Sequence, residues 1–107
     1  MLQINSAGFT EAIKSDSPVF IKLFGTYCNP CKNFAPIVES VAAKNIGIAF
    51  LEIDVDRVPD VVTHLNITGV PTMVMFKSGV EIARLVGYNS EEKVQAFLDK
   101  NIHKISA

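Results

Sequence analysis

Apolar residues along this 107-residue chain fall into two alternating rhythms, short unbroken clusters and spacings of three and four. Val19, Phe20, Ile21, Leu23 and Phe24 form a β-rich cluster, interrupted only by Lys22. Phe34, Ile37, Val38, Val41 and Ala42 follow at the spacing of one helix face, and Ile48 to Ile53 returns to a strand-like run. Two strands joined by a helix predict a parallel pair with a right-handed crossover. Upstream, Leu2 to Asn5 reads as a short edge strand. Phe9, Ala12 and Ile13 mark a first helix, capped by Asn5 or Ser6 and broken by Ser15-Asp16-Ser17-Pro18. Pro36 removes a backbone donor from the second helix and is expected to bend it; Asn45 and Gly47 end it.

Beyond the crossover, Pro59 can open a short helix carrying Val61, Val62 and Leu65. The turn Gly69-Val70-Pro71-Thr72 then leads into a strand from Met73 to Lys77. Ser78-Gly79 is short enough to force an antiparallel return along Val80 to Val86. The final helix carries a stripe of Val94, Phe97, Leu98 and Ile102, with Lys100, His103 and Lys104 suiting its C-terminal dipole. Asn89 and Glu92 are spaced as a capping box at its start. The resulting order, βαβαβαββα, describes an α/β fold.

Composition narrows the class. With 49% hydrophobic and 20% charged residues, the chain fits a single globular domain spanning 1–107. A formal net charge of −1 predicts neither a nucleic-acid surface nor a polybasic membrane patch. Met1 to Ser6 lack the basic start and apolar run of a secretory signal, and no apolar run approaches the roughly 20 residues of a membrane span. A cytoplasmic location is therefore expected.

The chemistry lies in Tyr27-Cys28-Asn29-Pro30-Cys31-Lys32, which holds the chain's two cysteines. Cysteine attacks as its thiolate, and a helix N-terminus stabilises that charge. Cys28 falls at a strand-to-helix junction, and Pro30 suits a first helical turn, where its missing N–H costs little. Cys28 is then the exposed sulfur, and Cys31, turned inward, can resolve a mixed disulfide formed on it. A zinc site would need His64 and His103 at spacings unlike the usual finger, and a c-type haem would need histidine where Lys32 stands. A structural disulfide closing so small a loop would gain little chain entropy.

Four features together, the cysteine loop followed by Lys32, Pro36 in the next helix, Gly69-Val70-Pro71-Thr72, and Gly87 before the last helix, make the chain resemble the thioredoxin family over essentially its whole length. The resemblance implies a thioredoxin fold, a central mixed β-sheet flanked by helices on both faces, with Pro71 in the cis form. It implies a thiol–disulfide oxidoreductase, a protein-disulfide reductase with Cys28 as nucleophile and Cys31 as resolving thiol. Tyr27, Val70 and Pro71 would contact substrate, the Val70 backbone pairing with an extended client segment. The only redox group would be the Cys28–Cys31 disulfide, with no bound cofactor or metal. Electrons would come from NADPH through a flavin enzyme, thioredoxin reductase. Its other partners would be disulfide-containing client proteins, and the chain would act as a monomer.

Departures from that pattern locate what is particular to this chain. Tyr27 stands where tryptophan is usual, and Asn29 where glycine is usual, bringing an amide that could bond a cysteine sulfur or its neighbours. Asn29 and Pro30, between the cysteines, are expected to tune redox poise. Lys22 replaces a buried acid that family members usually carry below the resolving cysteine. A buried ammonium must find an anion, reach water along its stem or lose its proton. Strand alternation would let Glu52 face it, and the cation would favour a thiolate at Cys31.

Asp54 and Asp56 resemble a metal-binding pair but read as solvated charge at a strand end. Asn66-Ile67-Thr68 matches a glycosylation acceptor in a chain with no expected secretory route. His64 and His103 read as surface residues, Met73 and Met75 as core. Two other functions compete: a glutathione-coupled or isomerase-like relative, for which Tyr27 and Asn29 give some motive, and a redox-independent subunit docking a partner enzyme through the loops near Cys28 and Pro71.

Overall fold

The computed structural model describes residues 1–104. Val19–Phe24 (β2) is the central strand of a five-stranded sheet, and the remaining elements are placed around it. In chain order these are Leu2–Gln3 (β1), Ser6–Ala12 (α1), β2, Asn29–Lys44 (α2), Ala49–Asp54 (β3), a single 3-10 turn at Val55–Arg57, Pro59–Leu65 (α3), Thr72–Lys77 (β4), Val80–Val86 (β5) and Glu91–Asn101 (α4). The strand order is β1-β3-β2-β4-β5. β1 and β2 both run parallel to β3, whereas β4 lies antiparallel to β2 and β5 antiparallel to β4.

Burial of β2 on both faces explains its unbroken apolar sequence. Val19, Ile21 and Leu23 pack with Phe9, Val58, Val61, Leu65, Val74 and Phe76 on the side of α1 and α3. Phe20 turns the other way, joining Phe34, Val38 and Val41 of α2 and Val94 and Leu98 of α4, with Met73 and Met75 filling between them. Each side chain of this size taken out of water contributes about 1.5–3 kcal/mol before the cost of ordering it. Aromatic contacts organise both layers: Phe9 meets Phe76 edge-on at 5.4 Å, and Phe20 stacks on Phe50 at 5.4 Å. Met73 and Met75 are core, as the sequence predicts.

Local signals set the element ends. Asn5 caps α1 by accepting the Gly8 N–H at 2.8 Å. Ser78 and Gly79 have φ of 52° and 80°, the pair of positive values that a two-residue hairpin turn demands. That turn is tied down by Ser78 N–H to Ser15 O and Gly79 N–H to Ile13 O, both 2.7 Å. α2 continues unbroken through Pro36, which lies on its exposed side.

One cap differs from expectation. Ser90, not Asn89, caps α4, its hydroxyl accepting the Lys93 N–H at 3.2 Å. The chain reverses at Gly87 (φ 88°), and the Asn89 amide closes this bend by donating to Gly87 O at 3.0 Å, so it is not available to the helix.

Candidate active site

The C-terminal end of β2 delivers the chain through Gly25, Thr26 and Tyr27 to Cys28, the N-cap of α2. Cys28 has extended φ and ψ of −109° and 107°, and its sulfur accepts the Cys31 N–H at 3.1 Å. A cap is usually an oxygen; here a cysteine sulfur takes that position. No acidic side chain lies in the first turn of α2 to offset the partial positive charge of the helix end. Pro30 occupies that turn as predicted. The two cysteines are joined as a disulfide, with Cα atoms 5.2 Å apart. Cys31 is buried behind it at 4% exposure, and Cys28 is half-buried.

A second loop closes over the sulfur. The Val70–Pro71 peptide is cis, and Val70 O lies 3.8 Å from Cys28 Sγ. Thr72 Oγ1 donates to Gly69 O at 2.7 Å, fixing the turn before β4, and Gly87 N–H donates to Pro71 O at 2.8 Å. Gly87 holds a positive φ that a side chain would strain. Tyr27, 96% exposed, stands clear of the core, whereas Tyr88, 54% exposed, rests edge-on against the core residue Phe34 of α2 at 5.9 Å. Tyr88 was not singled out by the sequence; its place directly after Gly87 was the available signal.

Two further corrections concern polar groups. The Asn29 amide makes no hydrogen bond to either sulfur among the described residues; the donor at Cys28 is the Cys31 backbone. Asp54 is not solvated charge but buried. Its carboxylate accepts Thr26 Oγ1–H at 3.0 Å and the Asp56 N–H at 3.0 Å, while Asp56 Oδ2 accepts the Thr26 N–H at 3.2 Å. The D-x-D pair thus anchors the segment that carries Cys28. No cluster of three potential metal ligands occurs among the described residues. His64 and His103 are exposed, as expected.

Lys22 is 3% exposed and in register with Glu52, the neighbour that alternation predicts. Among the described residues the two form no ion pair; the ammonium lies 5.6 Å from the centre of the Phe24 ring, a cation–π contact. Both residues line a cleft of about 330 Å³ that opens behind the disulfide and reaches Cys31, Lys32, Asp54 and Arg57. Lys22 therefore reaches open space along its stem instead of closing on an acid.

The thioredoxin family model matches residues 1–100. The chain belongs to the thioredoxin family. Thioredoxin from Echinococcus granulosus is 36% identical over 97 residues, covering 88% of this chain and 91% of the relative. Thioredoxin-2 of Saccharomyces cerevisiae is 38% identical over 96 residues, covering 88% and 92%. Among solved structures, the Plasmodium falciparum thioredoxin superimposes with a TM-score of 0.87 at 29% identity, covering 94% of this chain and 98% of that one. The fold is that of the thioredoxins, and with its cysteine pair in place the chain is a dithiol–disulfide oxidoreductase.

Proposed function

We propose that Cys28 attacks and Cys31 resolves in the reduction of protein disulfides. The observation that carries this reading is the Cys31 N–H bonded to Cys28 Sγ at 3.1 Å, at the mouth of α2. In the dithiol form that donor and the helix end favour a thiolate on Cys28, the more accessible sulfur. The thiolate attacks one sulfur of a client disulfide, forming a mixed disulfide and expelling the client's other sulfur. Cys31, as thiolate, then attacks Cys28 Sγ, forming the internal disulfide and releasing the second client sulfur. The two protons given up by the cysteines match the two taken up by the client thiols.

An extended client segment would lie along Val70 and Pro71, where proline offers no competing N–H, with Tyr27 as an apolar wall. Asn29, Pro30 and Lys22 would set the redox poise, the cation by favouring the thiolate of Cys31. The domain would work as a cytoplasmic monomer, re-reduced by thioredoxin reductase with electrons from NADPH.

Cys31→Ser incubated in cell extract should accumulate client proteins covalently attached through Cys28 and released by reductant. Absence of such adducts, or equal trapping by Cys28→Ser, would overturn the assignment. Turnover of the parent with thioredoxin reductase should exceed turnover with glutathione; the reverse would move the chain to a glutathione-coupled role.

A further inference from the structure

We infer that Glu52 is the proton acceptor for Cys31, taking through water in the cleft behind the disulfide the proton this thiol must lose before it can resolve a mixed disulfide. The inference rests on the division of labour between the two cysteines given above.

When a client occupies Cys28, the approach to Cys31 from the outer rim is covered. An ordinary thiol titrates near 8.5, so at neutral pH most of a buried thiol population would be protonated and unable to attack. The proton needs an exit, and the cleft that Cys31 lines is such a path. The charged groups facing it are Lys32 from α2, Lys22 from β2, Glu52 and Asp54 from β3, and Arg57 from the 3-10 turn.

Only two of these can accept a proton as carboxylates. Asp54 is already committed: Thr26 Oγ1–H and the Asp56 N–H occupy its two oxygens at 3.0 Å, and Arg57 Nε stands 3.7 Å away. Donors and a cation that stabilise the ionised form make a carboxylate a poor base. Glu52 is half-buried and its carboxylate makes no hydrogen bond or ion pair among the described residues, so its lone pairs are open to water in the cleft. Lys22, in register beside it, does not close on it, and is held near Phe24. Base and cation thus face one space from adjacent strands. Glu52 takes the proton and Lys22 favours the sulfur charge left behind.

The step balances. The Cys31 S–H proton passes through water to Glu52, Cys31 Sγ bonds to Cys28 Sγ, and the Cys28–client bond breaks with its electron pair on the client sulfur. The proton then returns through the same water to solvent or to the departing thiolate.

Stopped-flow reaction of the reduced protein with a chromogenic aryl disulfide separates the events: the first aryl thiolate released reports attack by Cys28, the second reports resolution by Cys31. In Glu52→Gln the second phase should slow about 100-fold near pH 6.5, the lower end of what a positioned base supplies, and should converge with the parent as the solution is made alkaline, where hydroxide takes the thiol proton without help. The first phase should be unchanged, and Glu52→Asp should recover part of the loss. Superimposable profiles, or a slowing equal at every pH as a structural role would give, would overturn the inference. Should Glu52→Gln fold poorly by circular dichroism, Glu52→Ser is read by the same two phases against the same expectations. A parent protein that shows no second, intramolecular phase would instead overturn the cysteine assignment itself, and this inference with it.

Discussion

At Lys22 a single charged side chain lies inside the sheet. The Lys22 side chain, buried along its stem and without an acidic partner among the described residues, carries a desolvation cost that a cation–π contact only partly offsets. Lys22→Met keeps the stem and removes the charge, and should raise the free energy of unfolding by about 1 kcal/mol while slowing resolution by Cys31. Urea denaturation checks the first effect and the second aryl-thiolate phase the second; a variant less stable than the parent would show that the charge is well accommodated. The sequence displayed this residue plainly, because a lysine inside an apolar strand breaks the pattern. It did not display that Glu52 would stay apart from it, since register places two residues side by side without fixing where long side chains end. The burial of Asp54 is hidden in the sequence for a related reason. Its carboxylate is engaged by Thr26 and flanked by Arg57, contacts that the D-x-D spacing does not encode.

Element boundaries were legible wherever chemistry at one position decides them. Pro30 and Pro59 open their helices, and Ser78-Gly79 makes the hairpin turn. The start of α4 was not, because Asn89 and Ser90 are both good caps and the bend at Gly87 decides between them. Ser90→Ala should therefore cost about 1 kcal/mol in thermal or urea unfolding, the usual loss for a removed cap. An unchanged midpoint would mean that the Lys93 N–H finds water just as readily. α4 also binds to α2 through Lys44 and Glu91 at 2.6 Å. That bond, with help from the Ser40 hydroxyl, holds the Glu91 carboxyl below its ordinary range. A lowered folded value means the contribution is present at neutral pH and fades as pH falls through it. The pair is exposed, so its share of stability is small.

Across the whole molecule, two apolar layers share one central strand, and the site is built where that strand meets α2. Leu23, fully buried in the layer under α1 and α3, is one residue from Lys22 and two from Gly25. Leu23→Ala should cost about 2–5 kcal/mol, measured by urea denaturation, with the upper end expected if the rigid sheet cannot close the cavity. A loss below about 1 kcal/mol would show that the layer repacks. This architecture was readable from periodicity because each face of the sheet is covered by helices with an apolar stripe. The convergence of Val70, Gly87 and Cys28 was not, since it depends on three loops brought together by strand order. The Cys31 amide proton reports on that convergence from within. Because it rests on the sulfur that trades partners, every turnover should alter its protection, so isotope exchange at one backbone position would follow the oxidation state of the protein without any added probe.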